Sequence, residues 1–514
     1  MGIRHAPTIL PGLLLAMLAA APAGAAQPRG KTIVTQGIGG KVAPCASCHQ
    51  ANGHGGGNGT YPRLAGLPAP YIRAQLEAFR SGQRSNAIMH GIASGLSDPD
   101  IRAVAAWFAG RKAPWPAPPG GAKAAVRAGQ ELVAAGDPAR DVPACQDCHG
   151  PGLRGGGPDI PPLAGQWQDY LEKQLQAFAD GSRPGGPLDL MGRIAHRLSA
   201  KEMHDASMYI AGLRPGQSVE IPRGGKTSWK PKPQSPDSFT PPPEPTMPTA
   251  GKYGRMVQLG EKIFMDTPRY AGKYVGNSLS CRNCHTGRGR TATSSPMWAA
   301  VPMYPKYRGK NDRVNTLQMR IQGCFRYSEN GKAPPPDGRV LVALSSYMHW
   351  LATGMPIGIK PKASGYPKVT EPAAGFDRDR GRKVYASHCA VCHGDHGQGR
   401  VVNGARVFPA LWGPQSFNWG AGMHRVNTAA AFIKHNMPFS DGGSLSDQQA
   451  WDVAAWIASQ PRPQDPRFNG DLAATAKRFH KHRKYDYYGR KLDGHTLGAP
   501  GTLGAWEKKH RASD

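Results

Sequence analysis

The fold of this chain is decided by CASCH at residues 45–49 and by its further copies, CQDCH at 145–149, CRNCH at 281–285 and CAVCH at 389–393. Chance would place the pattern Cys-x-x-Cys-His at about one position in a hundred thousand. Disulfides are the usual use of paired cysteines in a secreted chain, and a thioredoxin-like redox site needs no following histidine. Four identical spacings instead predict four covalent haem c groups, because two thiols that bind the porphyrin and a histidine that ligates its iron form such a site. The attaching cysteines are Cys45, Cys48, Cys145, Cys148, Cys281, Cys284, Cys389 and Cys392.

The first half of the chain contains one domain of about a hundred residues twice. The residues that recur are Leu64, Ala65, Gly66, Tyr71, Gln75, Leu76 and Phe79, at an offset of 99, and Met89, Leu96 and Ser97, at an offset of 102. Each copy runs from haem motif through a Gly/Pro-rich loop and an amphipathic helix to a Met loop and a second helix. This order resembles a class I cytochrome c domain, and the tandem resembles the small dihaem cytochromes c that carry electrons in the periplasm. The resemblance implies an all-α fold with four class I cytochrome c-like domains.

The remaining composition divides the chain into segments. We expect a signal peptide (1–26), unit one (27–118), unit two (119–213), a Pro-rich linker (214–250), unit three (251–370), unit four (371–464) and a basic C-terminal tail (465–514). The signal has Arg4 and His5 before an apolar run from Ile9 to Ala21, which is shorter than the ~20 residues that span a membrane. The sequence therefore predicts export to the periplasm without a membrane span.

The chain is strongly basic, with a formal net charge of +29. Such a field attracts anions. An exported haem protein has little use for nucleic acid, so we expect no nucleic-acid partner. Small anions or an acidic redox partner fit the charge better.

The iron ligands follow from the motifs and from the class I resemblance. The proximal ligands are His49, His149, His285 and His393. Class I domains usually take a distal Met from a loop about 40 residues further on, which predicts Met89, Met191 and Met437, 40, 42 and 44 residues after their histidines. The alternatives are His90 at the first haem, Met203 at the second, and His435 or Met423 at the fourth.

The third haem has Cys324, and no methionine, at that spacing. A buried free cysteine is common, because the thiol behaves as a small apolar group. An unpaired thiol is unusual in an exported protein, however, and this one lies where the distal ligand belongs. We therefore predict thiolate ligation. Arg320, Cys324 and Ser328 lie at i, i+4 and i+8, which places a cation, a thiolate and a hydroxyl on one face if the segment is helical.

The second half of the chain resembles the tetrathionate-forming thiosulfate dehydrogenases from about residue 256 to 489. The stretches that carry the resemblance are 266–270, 276–281, 314–332 with Arg320 and Cys324, 347–351, Asn436-Met437-Pro438 and Tyr487-Tyr488-Gly489. That family is dihaem, with a His/Cys-ligated catalytic haem and a second haem that passes electrons outward. The first half is similar to the dihaem cytochrome that accepts those electrons, so the chain looks like a fusion of acceptor and enzyme.

The family's site residues carry over by position. Its haem-ligating Cys falls on Cys324, its substrate-binding Arg on Arg320 and its Ser on Ser328. A second family Arg aligns near Lys310, which keeps the charge but loses the planar fork, and Arg308 or Arg313 are alternatives. Some members have Lys just before the distal Met of the second haem, where this chain has Asn436, so we expect no Lys ligation there.

The resemblance implies oxidation of two thiosulfates to one tetrathionate at the third haem, with electrons passing through the fourth haem to the fused dihaem module. The final acceptor would be a periplasmic redox protein or a terminal oxidase. The alternatives are a tetrahaem electron carrier without a substrate of its own, a membrane-associated dehydrogenase subunit, and a tetrathionate reductase that uses the same site. The grouping of Arg320, Cys324 and Ser328 argues against a pure carrier.

Overall fold

The computed structural model of this chain describes residues 23–510, except 187, 224–229, 309–311 and 403. Helices dominate these residues, and their strands pair in short antiparallel hairpins. The predicted all-α fold is therefore confirmed. Lys310 and most of the predicted signal peptide lie outside the described residues. Among the helices that are described, none combines the length and the apolar character that crossing a membrane would require.

Units one and two have the same order of helices. In unit one they are α1 (Ala23–Gln36), α2 (Ala46–His49), α3 (Ala69–Arg80), α4 (Ala87–Ser94) and α5 (Asp98–Ala109). In unit two they are α6 (Lys123–Ala135), α7 (Cys145–His149), α8 (Gln168–Ala179), α9 (Leu190–His196) and α10 (Ala200–Gly212). A capping box starts the last helix of each unit, formed by Ser97 with Asp100 and by Ser199 with Glu202. The Leu-Ser pair of the repeat is thus a helix start signal.

Units three and four are built on the same plan, with hairpins added. Unit three contains α11 (Gly251–Met265), α12 (Thr267–Ala271), α13 (Thr286–Gly289), α14 (Met297–Ala300), β1 (Lys306–Arg308), β2 (Arg313–Asn315), α15 (Leu317–Tyr327) and α16 (Arg339–Leu351). Unit four contains α17 (Arg378–His388), α18 (Ala390–His393), β3 (Arg400–Val402), β4 (Ala405–Phe408), α19 (Val426–Asn436) and α20 (Asp447–Ala458). The tail adds α21 (Leu472–Phe479), β5 (Lys491–Leu492), β6 (His495–Thr496) and α22 (Thr502–His510).

A glycine lets the first and last helices of every unit cross in close contact. These glycines are Gly30, Gly129, Gly260 and Gly381, which face α5, α10, α16 and α20 respectively. A Cβ at any of them would overlap a backbone carbonyl oxygen of the facing helix. In each unit, the Cys-x-x-Cys-His motif and the segment that carries the predicted distal ligand lie in the chain between these two helices. The crossing therefore fixes the two ends of the stretch that holds them.

A reciprocal cluster joins units one and two. It consists of Tyr71, Gln75 and Arg84 with their repeat counterparts Tyr170, Gln174 and Arg183. Arg84 donates to Gln75, Tyr170 and Gln174 at 2.7, 2.9 and 2.7 Å. Arg183 donates to Gln174, Tyr71 and Gln75 at 2.7, 3.0 and 3.2 Å. The two copies are therefore related by an approximate twofold arrangement of these side chains.

The Pro-rich linker packs against both halves of the molecule. Val219 and Ile221 join the apolar core of unit two, whereas Phe239 and Met247 lie in the core of unit three. Phe239 packs on the indole of Trp298, with ring centroids 5.1 Å apart. The linker is thus part of both cores and more than a spacer between them.

The C-terminal tail covers unit four. Tyr487, Tyr488 and Leu497 are buried in the same apolar cluster as the helices of that unit. His480, which is 3% exposed, bonds to Asp486 through Nδ1 at 2.8 Å and to Asp465 through Nε2 at 3.0 Å. A buried ion-pair network therefore fastens the tail.

Candidate functional site

The hydrogen bonds and the burial of the four motif histidines suit them to bind a metal. Each donates through Nδ1 to a backbone carbonyl, at 3.2 Å for His49, 2.8 Å for His149, 2.8 Å for His285 and 2.9 Å for His393. That bond fixes the tautomer in which Nε2 carries the free lone pair. Burial lowers the pKa of all four imidazoles, that of His285 to about 4. They are therefore neutral at pH 7, as an iron ligand must be.

The motif cysteines are also suited to haem attachment. All nine cysteines lie within the described residues, and none forms a disulfide. Burial raises the pKa of Cys45 to about 11 and that of Cys145 to about 12. Cys45 and Cys145 are therefore protonated at pH 7, unlike the low-pKa thiols of reactive redox sites, and each is free to attach a porphyrin.

The reciprocal cluster adds a further sign of an anionic group between units one and two. Arg84 and Arg183 are only 8% and 9% exposed. Within the part of the chain that is described, neither guanidinium forms an ion pair with a carboxylate. Buried cations need a counter-charge, and haem propionates would supply it. The residues present thus fit haem c.

The distal ligands predicted from the sequence fall on separate elements. Met89 lies on α4 and Met191 on α9, while Met437 caps the end of α19. Among the rivals, Met203 is buried in α10, and His90 holds the carbonyl of Phe79 through Nδ1 at 2.7 Å. All four ligand assignments that involve Met or Cys remain predictions.

Helix α15 forms the candidate catalytic site. Its N-cap is Thr316, whose side chain accepts from the backbone N–H of Met319. Arg320 and Cys324 lie one turn apart on this helix, and Arg320 Nη1 donates to Cys324 Sγ at 3.0 Å. The charge on Cys324 raises the pKa of Arg320. The structure thus brings the predicted cation and thiolate into contact.

Ser328 continues the same face at the C-terminal end of α15. Its backbone N–H donates to the Cys324 carbonyl at 2.8 Å, and its own carbonyl accepts from Asn277 Nδ2 at 2.9 Å. Ser328 is half-buried. Asn277 also holds the carbonyl of Ser416 at 3.0 Å, which ties this end of the helix to unit four.

Cys324 lies beside the third haem motif. Burial, and then the charges of Glu329 and Cys324, raise the pKa of Cys284 to about 12. Glu329 is 3% exposed, and burial raises its pKa well above the usual range. Burial therefore favours the neutral form of the acid next to Ser328.

The hairpin β1–β2 carries the two alternatives to Lys310. Arg308 pairs with Arg313 across the hairpin, and the segment between them holds Lys310, which is not described. Arg308 is half-buried and donates to Tyr304 at 2.8 Å, and Tyr304 in turn raises the pKa of Arg320. Arg308 thus reaches the surroundings of Arg320, whereas Arg313 is exposed.

Two contacts near the site were not predicted from the sequence. Tyr366 donates to the carbonyl of Cys284 at 3.1 Å, although it comes from the segment that leads into unit four. Asn436 bonds to Thr293, near the His285 loop, through its side-chain oxygen at 3.1 Å and its nitrogen at 3.2 Å. Tyr366 carries no motif, and Asn436 was noted only as the residue before Met437. Both contacts form only when distant segments of the chain fold together.

The motif of unit two lies at the junction of the two halves. Asp147, inside that motif, accepts from Arg282 of the third motif at 3.1 Å. Cys148 lies close enough to Cys392 of the fourth motif for the charge on Cys392 to raise its pKa, after the larger effect of burial. Unit two therefore contacts both haem motifs of the C-terminal half.

Comparison with known proteins agrees with this layout. Residues 29–111 match the family described as cytochrome c, residues 270–357 the SoxA/TsdA cytochrome c domain, and residues 376–457 the cbb3-type cytochrome c oxidase subunit III. The thiosulfate dehydrogenase of Stutzerimonas stutzeri is 52% identical over 261 residues, which cover 51% of this chain and 85% of that protein. The thiosulfate dehydrogenase electron acceptor of the same organism is 44% identical over 185 residues, which cover 36% of this chain and 86% of that protein.

A solved structure extends the likeness to both halves at once. The thiosulfate dehydrogenase (TsdBA) from Marichromatium purpuratum superposes with a TM-score of 0.83 at 46% identity, covering 92% of this chain and 99% of that one. The match spans acceptor and enzyme together, in agreement with the fusion predicted from the sequence. The chain belongs to the thiosulfate dehydrogenase family and is an enzyme of that kind fused to its electron-acceptor cytochrome.

Proposed function

We propose that the chain carries four covalent haems and that it joins two thiosulfate ions into one tetrathionate in the periplasm. The reaction forms one S–S bond and releases two electrons, and no proton is gained or lost. The contact of 3.0 Å between Arg320 Nη1 and Cys324 Sγ carries this proposal, because it places a donor for sulfonate oxygens beside a sulfur in the third unit. A haem bound at the third motif would supply one-electron oxidation next to this pair.

Arg320 binds the substrate by charge and shape. Thiosulfate is a dianion whose sulfonate end offers several oxygens, and a guanidinium can hold two of them at once. The contact with Cys324 uses one of its N–H groups and leaves others for the substrate. Ser328 is placed to donate a further hydrogen bond from the end of the helix.

Two thiosulfate dianions repel each other when they approach. Arg320 and Arg308 reduce that repulsion with fixed positive charge, and burial disfavours a negative charge on the neighbouring Glu329. We assign to Arg308 the part of the second family arginine, because it reaches Tyr304 beside Arg320. Cys324 keeps its assignment as the distal ligand of the third haem, supported by its position beside Cys284.

The test measures ferricyanide reduction by the purified holoprotein with thiosulfate as donor, together with tetrathionate formed. We expect one tetrathionate for every two ferricyanides reduced, and loss of turnover in the Cys324→Gly variant. The control is Gln318→Gly in the first turn of the same helix, which costs helix stability up to the interior value of about 1 kcal/mol and should remain active. A pyridine haemochrome assay should give four haems per chain in all three proteins.

Two outcomes would contradict the proposal. Robust activity of Cys324→Gly with four haems bound would remove Cys324 from the mechanism. A fully loaded wild-type protein that turns over neither thiosulfate nor tetrathionate would favour a pure electron carrier. A catalyst accelerates both directions, so the variant should lose tetrathionate reduction as well.

The periplasmic location is supported by the apolar run near the N-terminus and by the haem motifs. Osmotic shock of producing cells should release the haem-stained protein. Retention of that protein in the spheroplasts would contradict the location.

A further inference from the structure

Unit four covers the segment of unit two that carries Met191. Helix α9 carries Met191, and two arginines on or next to it reach the loop that follows Met437. Arg193 Nη1 contacts Asp441 Oδ1 at 2.6 Å, and Arg197 Nη1 donates to the Ser440 carbonyl at 3.0 Å. The face of unit two around Met191 is therefore a contact surface for another cytochrome unit.

The repeat places an equivalent face on unit one. At the offset of 102, Met89 matches Met191, Ile88 matches Leu190, and Gly91 and Gly95 match Arg193 and Arg197. Ile88 is 65% exposed, whereas Leu190 is half-buried. Gly91 has open space where a side chain would be. The face that unit four covers on unit two is thus open on unit one.

We propose that this open face of unit one, formed by Ala87, Ile88 and Gly91 around Met89, is the docking site for a separate c-type cytochrome that removes electrons from the enzyme. The inference rests on the proposed function, since it needs haems in both repeats. Each thiosulfate oxidised in the enzyme half releases one electron, and each ferric cytochrome that docks takes up one electron and becomes ferrous. The repeat supports this partner, because the same face of the other copy already holds a cytochrome unit.

The composition of the face suits a partner that binds transiently. On unit two, Arg193 holds a permanent neighbour through its ion pair with Asp441, and Arg197 through its hydrogen bond to the Ser440 carbonyl. On unit one the corresponding residues are glycines, so the contact lacks both of these bonds and consists of a small apolar rim with Ile88 at its tip. An uncharged rim of this size gives a weak contact that forms and separates quickly, as an electron-transfer partner requires.

The test uses the full holoprotein with thiosulfate as donor and mitochondrial cytochrome c as the acceptor probe. Salt is held at about 1 M, where the Debye length of ~3 Å screens repulsion between two basic proteins. In Ile88→Asp we expect the second-order rate of cytochrome reduction to fall at least about tenfold, with ferricyanide turnover and the haem midpoint potentials unchanged. The conservative variant Ile88→Leu, which installs the residue of the other repeat, should keep the wild-type rate.

The matched control is Ile357→Asp, which places the same charge on an isoleucine that is 81% exposed on unit three. It should reduce the probe as fast as the wild type does. Equal rates for Ile88→Asp and Ile357→Asp would overturn the docking site while leaving the proposed function intact. Loss of ferricyanide turnover in Ile88→Asp would also overturn it, because the face would then serve the internal chemistry. A dimer that Ile88→Asp converts to a monomer would assign the face to a second copy of the chain.

Discussion

In the proposed mechanism, Arg320 contributes both charge and shape to the substrate site. Its guanidinium lies against Cys324 and near Tyr304, and its charge is secured because the negative charge of Cys324 raises its pKa. A lysine here would keep the charge but would lose the planar fork that fits two sulfonate oxygens. The single substitution Arg320→Lys therefore separates the effect of the shape of the guanidinium from the effect of its charge.

We expect Arg320→Lys to raise the KM for thiosulfate about ten- to hundredfold, because a hydrogen bond to a charged group contributes roughly 1.5–3 kcal/mol. Steady-state ferricyanide reduction measures this change. Arg326→Lys, on an exposed position of the same helix, is the control and should leave the KM unchanged. An unchanged KM in Arg320→Lys would show that charge alone binds the substrate.

At the scale of elements, the crossing glycines determine how closely the first and last helices of a unit can pack. Gly129 faces the backbone of Asp205 on α10, where a Cβ has no space. Gly212, at the end of the same α10, has open space around it. The same substitution at these two glycines therefore tests the crossing within one unit.

Gly129→Ala should destabilise the N-terminal half by about 1–3 kcal/mol, the usual cost of overpacking. Gly212→Ala should change stability little. Thermal unfolding followed by circular dichroism on the haem-loaded proteins measures both. Equal melting temperatures for the two variants would mean that α6 and α10 shift apart at little cost.

The tail network predicts a pH dependence. Burial lowers the pKa of His480, but its bonds to Asp465 and Asp486 outweigh that effect and raise it. Bonds to His480, to His424 and to Arg467 hold the pKa of both carboxyls well below the usual range. A raised pKa in the folded state adds stability that is complete below the unfolded value of about 6.5 and is lost as the pH rises through the folded value.

We expect His480→Gln to lower the melting temperature most at about pH 6, and progressively less as the pH rises through the raised pKa of folded His480. Melting curves of both proteins across this range give the difference directly. Asn469→Ala, on the surface of the tail, is the control and should shift the curve equally at every pH. A difference that grows with rising pH would refute an imidazolium at position 480.

The residues that could be predicted from the sequence are those whose spacing is local or repeats along the chain. The Cys-x-x-Cys-His motifs, and Arg320 with Cys324 one helical turn apart, are each visible within a few positions. The tandem repeat is visible as matching residues at a nearly constant offset of 99 to 102. The crossing glycines are not, because the carbonyl that excludes a side chain lies on a helix far away in sequence. The docked linker was also unforeseen, since Phe239 and Met247 are isolated apolar residues in a polar, Pro-rich segment.

At the scale of the whole molecule, the linker and the interface ion pairs hold the two halves together. Arg282 bonds to Asp147, and Arg193 to Asp441, across the junction. The linker inserts Phe239 into the core of unit three. These contacts, and not only the covalent tether, keep the acceptor beside the enzyme.

Phe239→Ala should therefore destabilise unit three by about 3–5 kcal/mol, as expected when a buried phenylalanine is removed. A freely moving linker would show no such effect. Calorimetry of the holoprotein measures the loss, with the exposed neighbour Ser238→Ala as the control. If Phe239→Ala and Ser238→Ala had equal stability, the linker would be only a covalent tether and would not contribute to the core of unit three.

The reciprocal cluster between units one and two also has a consequence for how the chain can evolve. Gln75 accepts from both Arg84 and Arg183, and Gln174 does the same from the other copy. A mutation at one of these positions thus removes hydrogen-bond partners from both copies, so a lasting change there calls for a compensating change in the other copy. Positions outside the cluster carry no such restraint, and there the two copies differ, as Gly91 and Arg193 do.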